Sequence, residues 1–137
     1  MAMIEFERLN DDDDASAQVE FRASNDSYSC EQDFWVVPGA LADFGAELQS
    51  FPRDLNHTVR FEYGENPEFY CHLLLTTEIL DSVGHSALAV TVANRLSPPR
   101  HARAHFYIPC EAASINEFGR RLESWAKGMG RPFRFVW

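Results

Sequence analysis

Apolar and polar residues alternate along most of the chain with the period of half-buried strands, and twice the period lengthens to that of an amphipathic helix. In MIEFERL, Ile4 and Phe6 alternate with Glu5 and Glu7. In AQVEFRAS, Val19 and Phe21 repeat the pattern, and YSCEQDFWVV reads as a third strand closing on Val36 and Val37. Pro38 and Gly39 open a helix, because the missing N–H of proline costs nothing in a first turn. Leu41, Phe44, Leu48 and Phe51 form its apolar stripe, and Pro52 ends it.

HTVRFEY alternates again and GENPE is a turn. FYCHLLLTTEIL and HSALAVTVAN, joined by DSVG, predict a hairpin of two central strands. Beyond the proline-rich RLSPPRHA, RAHFYIP predicts a strand. EAASINEFGRRLESWAKG predicts a second helix with Ile115, Phe118, Leu122 and Trp125 as its stripe, and PFRFVW a final strand. Ser114 and Glu117 have the spacing of a capping box at that helix start.

The two helical phrases are nearly the same. Shifting residues 38–63 by 74 onto 112–137 aligns Phe44 with Phe118, Gly45 with Gly119, Leu48 with Leu122, Ser50 with Ser124, Arg60 with Arg134 and Phe61 with Phe135, six identities in 26 positions. FWVVP precedes one helix and FYIP the other. The expected fold is therefore α+β in two layers. One continuous, mostly antiparallel sheet of about eight strands would carry two helices on one face, built by duplication of a βββαβ unit (1–64 and 69–137) within a single domain, 1–137. Each glycine lies on the buried stripe, where it costs a helix about 1 kcal/mol relative to alanine. That cost makes sense if the helix approaches a neighbour too closely for a side chain.

Charge sharpens the functional picture. The net charge is -9, but residues 1–70 hold 16 acids against 4 arginines, a net of -12, whereas residues 71–137 hold 5 acids against 8 basic residues, a net of +3. An acidic half disfavours nucleic acid and suits a basic protein partner. Two acidic stretches stand out as partner-binding candidates: Asp11, Asp12, Asp13 and Asp14, and the Glu62, Glu65 and Glu68 of EYGENPE. No apolar run reaches the ~20 residues that span a bilayer, and no secretory leader is recognisable. Three widely spaced cysteines, Cys30, Cys71 and Cys110, suit reduced thiols in the cytoplasm, and eleven Arg against one Lys suits a bacterial source.

Candidate chemistry is sparse. Cys71 and His72 are neighbours on a strand and face apart, while His101 and His105 share a face roughly 13 Å from each other. No metal-binding, phosphate-loop or nucleophile-elbow motif is present, so no cofactor or metal is expected. His85 and Ser86 also face apart.

The stretches Glu62–Gly64, Asp81–Val90 (D-x-x-GHSAL-x-V) and Glu111–Trp125 (E-x6-FG-x-x-L-x-x-W) together resemble small uncharacterised bacterial proteins of unknown function, some associated with toxin–immunity loci. The resemblance implies no catalytic residues. The expected function is thus a non-enzymatic, cytoplasmic protein-binding protein of immunity or inhibitor type, using its acidic N-terminal half against a basic partner. A small-ligand protein or enzyme with a pocket between sheet and helices, drawing on His72, His85 or Glu62, is the alternative, and a homodimer or a subunit of a larger assembly, joined through the polarised charge or the edge of PFRFVW, is a third reading.

Overall fold

The computed structural model describes residues 1–10 and 15–137. Eight strands and two helices follow in the order β1 (Ala2–Arg8), β2 (Ala17–Asn25), β3 (Ser29–Val36), α1 (Pro38–Leu48), β4 (Arg60–Tyr63), β5 (His72–Ile79), β6 (His85–Ala93), β7 (Arg103–Glu111), α2 (Ala112–Ala126) and β8 (Phe133–Val136). The α+β class and the repeated βββαβ order are as the sequence pattern predicts.

The sheet, however, is not continuous. Four strands form sheet A in the order β3-β2-β1-β8, and four form sheet B in the order β4-β5-β6-β7, every pairing antiparallel. The last strand of each half pairs with the first strand of the other: β4 lies on β5 and β8 on β1. This exchange explains why the halves do not merge edge to edge. The β3 edge is met by side chains, with the Tyr70 hydroxyl donating to the Asp33 carbonyl at 3.1 Å and the Cys71 thiol approaching the same oxygen at 3.6 Å. At the β7 edge the Asn25 amide donates to the Tyr107 carbonyl at 3.0 Å. Pro109 removes a ladder donor from that same edge strand, a usual defence against further pairing.

Alternation then sorts each strand into an inner and an outer row. Ile4, Phe6, Val19, Phe21 and Phe34 of sheet A face inward with Leu73, Leu75, Leu88, Val90 and Ile108 of sheet B, and both helical stripes complete one apolar cluster. Full burial of each large side chain contributes about 1.5–3 kcal/mol. The aromatic contacts respect the duplication: Phe44 meets Phe61 at 5.6 Å between ring centroids, and the equivalent Phe118 meets Phe135 at 5.4 Å.

The helices touch each other, and α1 packs on β4 while α2 packs on β6, β7 and β8, so that together they reach both sheets. Their crossing is at the two glycines. A Cβ on Gly45 would stand 2.7 Å from the Gly119 carbonyl oxygen, and one on Gly119 2.6 Å from the Gly45 carbonyl oxygen. The reciprocity places the local two-fold relation of the repeat at this point. Asn116 adds a tie without counterpart in the other half, its amide donating to the Leu48 and Phe51 carbonyls at 2.8 and 2.7 Å and so satisfying the otherwise open end of α1. Ser114 does not cap α2: it lies inside the helix, which follows Glu111 as the pattern predicts, and the Ala112 amide donates to the Gly84 carbonyl across the fold.

Candidate functional site

The outer row of sheet A is charged. Because Ile4, Phe6, Val19, Phe21 and Phe34 point inward, the intervening Glu5 and Glu7 of β1, Glu20 and Arg22 of β2, and Glu31 and Asp33 of β3 point outward, with Arg134 of β8 beside Glu5. Five carboxylates thus share a face with two guanidiniums. Arg22 stands in the middle, bonded to Glu5 at 3.3 Å, to Glu7 at 3.0 Å and to Glu20, while Arg134 reaches Glu5 at 3.7 Å. Glu7 draws the Arg22 guanidinium most strongly and raises its pKa above the ordinary value despite partial desolvation. The Glu31 and Asp33 carboxylates meet no cation among the described residues. The Asp33 carboxylate accepts the Gln18 side-chain amide, at 3.2 Å.

Beside these two carboxylates lies an open cleft of about 430 Å³, walled by Glu20, Glu31 and Asp33 on one side and by Tyr70, Asn94 and Leu96 on the other. The far wall is held by side chains. Arg95 donates to the Asn66 and Phe69 carbonyls at 2.7 and 3.3 Å, fixing the β4–β5 connection. Asn94 donates to the Arg100 carbonyl at 2.9 Å and accepts the Leu96 and Ala102 amides at 3.1 and 3.0 Å, fixing the β6–β7 connection.

The acidic candidates from the sequence are not all brought together. Asp11, Asp12, Asp13 and Asp14 lie outside the described residues. Glu65 and Glu68 are exposed on the β4–β5 connection, whose Tyr70 contacts Asp33. Glu62 belongs to the outer row of sheet B, where it meets Arg60 at 2.5 Å and His72 at 2.7 Å. Burial pushes its carboxyl up, but the hydrogen bonds from Arg60 and His72 outweigh this and hold it below the usual carboxylate range. A carboxylate so neutralised has little field left for a partner. Glu5, Glu7, Glu20, Glu31 and Asp33, by contrast, never stood out as a run, since each is separated from the next by an inward-facing residue or by a turn.

The histidines are dispersed. His72 pairs with Glu62, His105 with the Thr91 hydroxyl at 2.7 Å, and His57 accepts the Arg53 amide at 3.1 Å. No group of three or more His, Cys, Asp or Glu placed to hold a metal occurs among the described residues. Among the described residues, no helix is long and apolar enough to cross a membrane.

His85 is exposed at the β5–β6 hairpin, bonded to Asp81 through Nδ1 and 3.5 Å from Glu111 through Nε2. The hydrogen bond to Asp81, then the fields of Asp81 and Glu111, hold its imidazole above the ordinary histidine value. A raised folded pKa means a stabilising contribution that is fully present below the unfolded value and lost as pH rises through the folded one. An NMR titration of the ring protons is expected to show His85 releasing its proton above the ordinary histidine value, with Asp81→Asn moving that release to lower pH.

The thiols show the opposite control. Burial drives Cys30, Cys71 and Cys110 up to about 11 each. The thiolate is the reactive form, so the folded chain should react with iodoacetamide on the order of a hundredfold more slowly than a free thiol, and at the free rate once denatured. Mass spectrometry of labelled peptides checks this.

No protein-family model matches the chain, and no curated protein is similar to it. Among solved structures, it is similar to that of the plant transcriptional regulator PBF-2, with a TM-score of 0.49 and 11% sequence identity, over 94% of this chain and 78% of that one.

Proposed function

We propose that the chain is a non-enzymatic protein-binding protein of immunity or inhibitor type, and that the outer face of sheet A receives a basic surface of its partner. The observation that carries this reading is the surplus of carboxylates on that face, where Arg22 and Arg134 answer Glu5, Glu7 and Glu20 but leave Glu31 and Asp33 free. A rigid sheet is a suitable platform for such a field. Its side chains are fixed by the ladder, so little ordering cost is added on binding. Exposed Trp35, on the same outer row as Asp33, supplies the large amphipathic contact that interface centres favour.

The test is co-purification with the products of neighbouring genes at about 50 and about 300 mM salt, a range over which the reach of exposed charges falls by roughly half or more. A partner retained at low salt and released at high salt supports the reading. A chain that retains none of them at either salt, or whose partner ignores charge reversal on sheet A, overturns it.

A further inference from the structure

The acidic cleft does not end at Asn94. It adjoins a second cleft of about 330 Å³ that shares Glu31, Gln32 and Asn94 with the first and is lined on the β7 side by Arg103. The pair is one trough running between an edge strand of sheet A, β3, and an edge strand of sheet B, β7, and its volume suits a small ligand. Neither edge is free to close the gap. Asn25 braces β7 against the end of β2, and Tyr70 braces β3 against the β4–β5 connection.

The two walls of the trough carry opposite charges that form no ion pair. Glu31 and Arg103 both line the second cleft, yet no ion pair joins them, and neither has another ionic partner among the described residues. Arg22, the residue paired across the ladder from Glu31, is taken up by Glu5, Glu7 and Glu20. A free carboxylate and a free guanidinium held apart across one cleft each gain from a ligand with the reverse polarity. A lone cation or a lone phosphate would answer one end only.

We infer that this trough is a binding site for a small zwitterion of the basic α-amino acid class, its guanidinium or ammonium group held by Glu31 and Asp33 and its carboxylate by Arg103. The fork of Arg103 suits a carboxylate bidentately. At the acidic end, Tyr70 offers a ring to the same cation, and Val92 and Ala104 give an apolar floor for an aliphatic stem. The inference goes beyond the protein-binding reading and does not need it, since Arg103 lies on the other sheet.

The probes are L-arginine and agmatine, which is arginine without its carboxylate and carries one more positive charge. A merely acidic patch holds agmatine more tightly; the trough holds L-arginine more tightly. Titration followed by amide NMR shifts is expected to give saturable binding of L-arginine at about millimolar or better, at least about fivefold tighter than agmatine. Arg103→Gln should weaken L-arginine alone and reverse the order, whereas Glu31→Gln should weaken both. Unchanged melting temperatures establish that the variants fold. Agmatine binding more tightly to the unaltered chain, unsaturable shifts spread over the surface, or an order unaffected by Arg103→Gln would each overturn the inference. A chain that keeps its basic protein partner but fails this test loses the ligand site and not the proposed function.

Discussion

Gly119→Leu is expected to lower the melting temperature by about 10 °C or more, and Gly45→Leu by a similar amount. The new Cβ at position 119 would stand 2.5 Å from the Leu48 Cβ and 2.6 Å from the Gly45 carbonyl oxygen; at position 45 it would stand 2.7 Å from the Glu123 amide nitrogen and the Gly119 carbonyl oxygen. These are mostly backbone atoms, which cannot rotate aside, so the helices must separate. Separation would pull Phe44 from Phe61 and Phe118 from Phe135 together, since each pair ties a helix to an exchanged strand. Overpacking in a well-filled core typically costs 1–3 kcal/mol, and backbone contact on both sides places these substitutions at the upper end or above it. Gly39 is the control, because a Cβ there meets nothing within 4 Å and Gly39→Ala should be neutral. Thermal melts of the three variants check the set. Equal melting temperatures would remove the helix crossing as the reason for glycine.

The second large effect concerns binding. Replacing Glu31 and Asp33 together by lysine should slow association with a basic partner by about tenfold or more at low salt and change the dissociation rate less. These two positions are chosen because neither makes an ion pair with Arg22, so reversal removes none of its three bonds. Folding stability should stay within about 0.5 kcal/mol, as for other surface substitutions. Reversal at Glu62 is the comparison. Its charge is already answered by Arg60 and His72 on the other sheet, so Glu62→Lys should leave association nearly unchanged while disturbing its own ion pairs. Stopped-flow or biosensor association rates at two salt concentrations distinguish the cases.

The elements were legible because their signals are local. The alternation around Phe6, Phe21 and Phe34 marks inner rows, and the stripes through Phe44 and Phe118 mark helices. The shared Phe-Gly step marked a close approach without saying whether the sheet or the other helix is the neighbour. The partition into two sheets was not legible, because β8 finds β1 and β4 finds β5 over different chain separations, and no residue in PFRFVW or RFEY states which edge it will join. The start of α2 at Glu111 was legible, but its capping was not: the distant Gly84 carbonyl accepts the Ala112 amide, and the local Ser114–Glu117 box is not used.

The acidic face was legible in principle. Counting runs of carboxylates drew attention to Asp11–Asp14 and to the Glu62–Glu68 stretch. Counting every second residue along the three first strands would have collected Glu5, Glu7, Glu20, Glu31 and Asp33 on one side, since the phenylalanines between them fix the other side as core. The trough was not legible at all, because Glu31 and Arg103 stand on different sheets.

The claim that the outer face of sheet A is the binding surface is tested most directly by amide NMR mapping of a short arginine-rich peptide on the isotope-labelled chain. Shifts concentrated on Glu5, Glu7, Glu20, Glu31, Asp33 and Trp35, lost in the Glu31→Lys, Asp33→Lys double variant and weakened by salt, are the predicted result. Shifts centred on sheet B or on the helices, or a map that survives the charge reversal, would contradict it.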